Sequence, residues 1–128
     1  ADVLDLPEVV ADAPSHERVR YLAGDALTFP LGENRYDVVF LCQVSHHFTA
    51  GQNRHLAERV AGTLRPGGFF VVVEFLREVA DAQAELSRSL VSLFFGLTSA
   101  AGLWSEAEIQ DWQRRAGLVP LPARSLLT

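Results

Sequence analysis

The chain has 128 residues, 48% of them hydrophobic and 21% charged, with a formal net charge of -5; it is one domain at most, rich enough in apolar residues to bury a core, and neither disordered nor fibrous. An acidic balance gives no basic footprint for nucleic acid or an anionic membrane, so a small-molecule partner is expected. The one cysteine, Cys42, excludes an internal disulfide and fits a reducing compartment; no signal peptide and no apolar stretch of about 20 residues is visible, so the expected location is cytoplasmic.

No methionine occurs, and the chain opens inside a strand-like run, Val3-Leu4-Asp5. It reads as an excerpt of a longer protein. Pro7 is tolerated in a first helical turn, so Glu8 to Ala13 is predicted as a short helix stopped by Pro14. Val19 to Leu22 follows as a strand. Gly32-Glu33-Asn34 is turn chemistry, and Tyr36 to Val44 is a long run of β-branched and aromatic residues, predicted as a central strand buried on both faces. Thr49 and Gln52 form a capping-box signal, and Leu56, Val60 and Leu64 recur at four-residue spacing, which predicts an amphipathic helix over 50–65 stopped by Pro66-Gly67-Gly68. Phe69 to Phe75 is a second strand of nearly continuous apolar character.

From Glu78 to about Leu97 the periodicity is helical, and the stretch Leu90 to Leu97 is apolar nearly all round, so something is expected to cover it. Ser105 and Glu108 form another capping box, opening a helix that Gly117 closes. Leu118 to Leu121 then reads as an edge strand, interrupted by Pro120 and flanked by Pro122.

Alternating strands and helices predict the α/β class: an open, mostly parallel Rossmann-like sheet with helices on both faces. Four strand-like runs end in polar residues, at Asp5, at Asp25, at Ser45-His46 and at Glu74. In parallel sheets ligands bind outside the carboxyl ends of the strands, so this pattern points to a site. In the nucleotide-binding form of the architecture, an acid ending the second strand holds a ribose diol, about 20 residues after a glycine-rich turn. Asp5 suits that acid, and the first strand and glycine loop are then expected upstream of residue 1.

Together, Asp5-Leu6-Pro7-Glu8-Val9-Val10, Gly24-Asp25-Ala26, Ser45-His46-His47-Phe48 and Leu64-Arg65-Pro66-Gly67-Gly68 leading to Val72-Val73-Glu74 resemble the class I S-adenosylmethionine-dependent methyltransferases. The nearest group is the small-molecule O-methyltransferases with an N-terminal dimerisation domain. The resemblance covers residues 1 to 76 well and the rest loosely. It implies a partial catalytic domain over 1–128, S-adenosyl-L-methionine as cofactor, methyl transfer to a hydroxyl of a natural-product-like acceptor, and a homodimer formed through a domain outside this chain.

Residue by residue, the resemblance makes Asp5 the ribose-binding carboxylate and Asp25 the acceptor of the adenine amino group. Leu6, Ala26, Gln43 and Ser45 join them as cofactor-binding positions. It makes His46 the base that takes the acceptor's proton, and Glu74 the carboxylate that orients it. A neutral imidazole suits this, because the hydroxyl loses its proton as oxygen attacks the methyl carbon. One crossover separates His46 from Glu74, so both are expected at the same sheet edge. Departures from the group fall at Cys42, where some members have a lysine, and near Leu103 or Trp104, where plant members have a second carboxylate.

Other readings remain open from the residues. Asp5, Asp25 and Glu74 also read as solvated strand ends, and His46 as a structural histidine. His47 is expected to point away from His46 as a wall residue, Cys42 to be a buried core thiol, and Phe94, Phe95, Trp104 and Trp112 to be core, although the first three lie where the group builds its acceptor pocket. His16, His46, His47 and His55 lack metal-ligand spacing, so no metal is expected. C- or N-methylation, an NAD-dependent dehydrogenase and a non-catalytic interaction module are the alternatives, and the 128-residue piece alone is expected to bind cofactor poorly.

Overall fold

The computed structural model describes residues 1–77, 89–90, 93–94, 96–98 and 102–126. It divides into two compact units, residues 1–31 and 32–128, each described by itself.

In the first unit, β1 (Asp2–Asp5) and β2 (Arg20–Ala23) pair in parallel, with Asp5 opposite Ala23. The connection carries α1 (Pro7–Ala11), whose first position is Pro7, where the missing N–H costs nothing. It ends two residues earlier than expected, Asp12 already lying outside helical geometry. Arg20 grips Asp2 through two nitrogens, at 3.0 and 2.6 Å, across the amino-terminal end of the pair.

In the second unit, β3 (Tyr36–Cys42) and β4 (Leu64–Val73) are again parallel, joined through α2 (Ala50–Thr63). The entry to β3 is a turn in which Gly32 and Asn34 both take positive φ, 80° and 48°. Helix α2 opens on the expected capping box: Thr49 accepts from the Gln52 backbone N–H, and the Gln52 side chain accepts from the Thr49 N–H. It ends at Thr63, and β4 starts at once at Leu64 rather than at Phe69. Arg35 N–H donates to Thr63 O and Tyr36 pairs with Leu64, so tertiary pairing claims the Pro66-Gly67-Gly68 segment for the strand. The register shifts there, between Tyr36 and Val38. Gly68 is required at this point, because a Cβ would meet the carbonyls of Asp37 and Arg65 at 2.9 Å.

Helix α3 (Glu106–Arg115) begins on the Ser105–Glu108 capping box and is followed by Gly117 at φ 82°. Ala57 of α2 and Ile109 and Trp112 of α3 form a core against which Phe70 and Val72 of β4 pack. Full burial of a side chain the size of Ile109 is worth about 1.5–3 kcal/mol.

The other face of the strand pair is uncovered: Phe40 is 64% and Phe69 57% exposed, and Val38 and the Cys42 thiol share that side. The expected burial of β3 on both faces is therefore not met among the described residues, and Cys42 is exposed rather than a core thiol. No strand forms over Leu118 to Leu121. Leu118 N–H is drawn back to Gln113 O, Pro120 and Pro122 lack donors, and Val119 is 87% exposed.

The long helix expected from Glu78 lies largely outside the described residues; 89–90, 93–94 and 96–98 are helical, with Leu90, Leu93, Phe94 and Leu97 exposed. Phe95 lies outside the description. Among the described residues no helix is long and apolar enough to cross a membrane, and no group of three or more metal-ligating side chains is gathered.

Candidate active site

The carboxyl end of β1–β2 carries both acids of the first unit. Gly24 N–H donates to Asp5 O at 2.9 Å, so Asp25 follows on the strand neighbouring Asp5. Both side chains are exposed. Each is steadied locally: Asp5 Oδ1 accepts from the Leu6 N–H, and Asp25 Oδ1 accepts from the Leu27 N–H, both at 2.8 Å. Leu6 is half exposed and Ala26 partly buried beside them. Two carboxylates at neighbouring strand ends are a set of acceptors suited to a vicinal diol and an amino group.

The carboxyl end of β3–β4 is built differently. Gln43 donates its N–H to Val73 O and then takes φ 55°, a left-handed conformation unusual for a non-glycine residue. That kink ends β3 two residues before the expected Val44. The chain turns into a 3-10 helix over Ser45–His47, so His46 and His47 do not alternate as in an extended strand; their rings lie 4.2 Å apart.

His46 and Glu74, 28 residues apart in sequence, meet there: His46 Nδ1 lies 3.0 Å from Glu74 Oε1. The side chains are 3% and 1% exposed. Glu74 Oε1 also accepts from the Phe75 N–H at 3.1 Å, and Oε2 accepts from the Ser45 hydroxyl at 2.8 Å. A carboxylate accepting at both oxygens calls for a donor on the histidine, which assigns the neutral ring's proton to Nδ1 and its lone pair to Nε2. His47 has its pKa lowered, first by burial and then by the charge of His46, with Glu74 pulling the other way.

Two further residues clamp this turn. Asn53 Nδ2 donates to Ser45 O at 2.9 Å and Phe48 O at 3.2 Å, and Trp104 Nε1 donates to the same Ser45 O at 2.9 Å. Trp104 O accepts from the Arg77 N–H, and Arg77 also reaches Glu108 at 2.8 Å, tying the segment after β4 to the start of α3. Burial raises the Glu108 pKa, but hydrogen bonds from Ser105 and the charge of Arg77 outweigh it and hold the carboxyl below its usual value. Sequence reasoning missed Asn53. The available signal was an amide on the buried stripe of Leu56, Ala57 and Val60.

Of the residues expected in the site, the first unit brings Asp5, Leu6, Asp25 and Ala26 to one edge, and the second brings His46 to Glu74. Gln43 is exposed, and Ser45 has no exposed surface and spends its hydroxyl on Glu74. A family model described as the O-methyltransferase domain matches residues 1–118. The chain belongs to this family.

Similar proteins agree with the O-methyltransferase match. Acetylserotonin O-methyltransferase of Homo sapiens is 36% identical over 97 residues, covering 71% of this chain and 27% of that protein. Tetracenomycin polyketide synthesis 8-O-methyl transferase TcmO of Streptomyces glaucescens is 32% identical over 126 residues, covering 91% and 36%. The crystal structure of human N-acetylserotonin methyltransferase in complex with SAM superposes with TM-score 0.75 at 28% identity, over 91% of this chain and 34% of that one. An O-methyltransferase family 2 protein from Planctomyces limnophilus, in complex with apigenin, reaches 0.78 at 24% identity and speaks to the fold alone. The fold is the open α/β fold of class I methyltransferases. The chain spans 27% of the human relative and 36% of TcmO, about a third of such an O-methyltransferase.

Proposed function

We propose that the whole protein transfers a methyl group from S-adenosyl-L-methionine to a hydroxyl of a small, natural-product-like molecule, with His46 as the base. The observation that carries the reading is the buried His46–Glu74 pair at the carboxyl end of β3–β4. When bound, the cofactor supplies an electrophilic methyl carbon on a sulfonium. Asp5 takes the ribose hydroxyls and Asp25 the adenine amino group, with Leu6 and Ala26 flanking. Glu74 holds the His46 ring by Nδ1, so that Nε2 receives the proton as the acceptor oxygen attacks; alignment and proton removal are what such an in-line displacement asks of a protein.

Homodimerisation through a domain outside this chain and a cytoplasmic location belong to the same proposal, supported by the family resemblance and by the lone cysteine. The test is calorimetric titration of the full-length protein with S-adenosylmethionine and with NAD. Methyl transfer from labelled cofactor to two probe phenols, N-acetylserotonin and apigenin, is measured alongside. Saturable heat with S-adenosylmethionine alone is expected; heat with NAD alone, or with neither, overturns the proposal. Light scattering reads the dimer.

A further inference from the structure

We infer that Ser45 is a positioning residue for proton removal, acting through Glu74 on His46. The inference rests on the function proposed above. Ser45 and His46 are neighbours on one 3-10 turn, while Glu74 arrives from the end of β4 and is held by both: Ser45 hydroxyl to Oε2 at 2.8 Å, His46 Nδ1 to Oε1 at 3.0 Å.

A glutamate's last torsion is soft, with broad and roughly two-fold preferences, so donors gathered on one oxygen, His46 and the Phe75 N–H at Oε1, do not fix the carboxylate plane. The second anchor, on Oε2, does. The backbone that carries that anchor is held. Ser45 is 0% exposed, and its carbonyl accepts from both Asn53 and Trp104, so the turn that presents the hydroxyl does not shift with a carboxylate that turns away. Removing the hydroxyl takes a donor from a buried charged oxygen, and such groups reorient to recover one. The carboxylate then leaves Nδ1, the proton is no longer held there, and Nε2 is no longer fixed as the acceptor of the substrate's proton.

The test uses the full-length protein with Ser45→Ala and Ser45→Cys, the second keeping the shape with a much weaker donor. The first readout is the proton NMR signal of the hydrogen-bonded His46 ring N–H, assigned by its loss in His46→Gln; it is expected to disappear in both variants while cofactor affinity stays within about twofold. The second is turnover of whichever probe phenol reacts faster: kcat is expected to fall about tenfold, less than the roughly 10²–10⁴ that removing a general base costs, with KM little changed. Placing Ser45→Ala on a Glu74→Gln background is expected to cost nothing further, because the path runs through Glu74.

An unchanged ring signal in Ser45→Ala, or an equal loss of kcat in both backgrounds, overturns the inference while leaving His46 as the base. If His46→Gln itself keeps full activity, the functional reading fails instead, and the ring signal still decides what Ser45 holds.

Discussion

The two parallel strand pairs both end in acids, in opposite environments. At β1–β2, Asp5 and Asp25 are exposed and steadied only by neighbouring backbone N–H groups in the hydrogen bonds described. At β3–β4, Glu74 is buried and accepts from a hydroxyl, an imidazole and a backbone amide. The contrast separates two uses of a carboxylate. On the proposed function, an acid that receives a ligand keeps acceptor capacity in reserve, and one that aims a base has its oxygens committed before any ligand arrives.

The contrast breaks most visibly at the base. His46→Ala in the full-length protein is expected to lower kcat by about 10²–10⁴ while cofactor affinity holds, measured by methyl transfer and calorimetry. At the open edge the pattern reverses. Asp5→Ala is expected to weaken S-adenosylmethionine binding by about 10–100-fold, the loss of charge-assisted hydrogen bonds of about 1.5–3 kcal/mol, with little change in thermal stability. A large fall in melting temperature for Asp5→Ala would show that acid to be structural too.

Asn53→Ala is expected to destabilise by about 1–3 kcal/mol in denaturant unfolding, since Ser45 O and Phe48 O lose a buried donor. The smallest effects are pH-dependent. His47 has a lowered pKa, so its neutral form suits the fold: its contribution is intact above pH 6.5 and is lost as pH falls from there through the folded value. His47→Asn is expected to flatten the stability slope in that window. Glu108, also lowered, contributes above its ordinary value of 4.5 and loses that contribution as pH falls through the folded value, a loss that Glu108→Gln removes.

Local chemistry was legible in the sequence. The Thr49–Gln52 and Ser105–Glu108 boxes need only four residues each, and both form as read. The polar strand ends were legible too, because strand direction alone brings Asp5 beside Gly24-Asp25 and Gln43 beside Val73. What was hidden depended on tertiary partners. Tyr36 recruits Leu64 into β4 ahead of the expected start, and among the described residues Leu118 to Leu121 join no strand. The inward turn of Ser45 follows from a left-handed Gln43, and glutamine carries no signal for that conformation.

On the proposed function, Gly68, a residue with no side-chain chemistry, has a hold over the reaction. Any side chain there must push β4 away from Asp37, and the strand that would slide is the one that delivers Glu74 to His46. A substitution at this glycine is thus expected to silence turnover by misdelivering an intact acid, and the lesion would be one of alignment, felt several residues downstream of the atom that caused it.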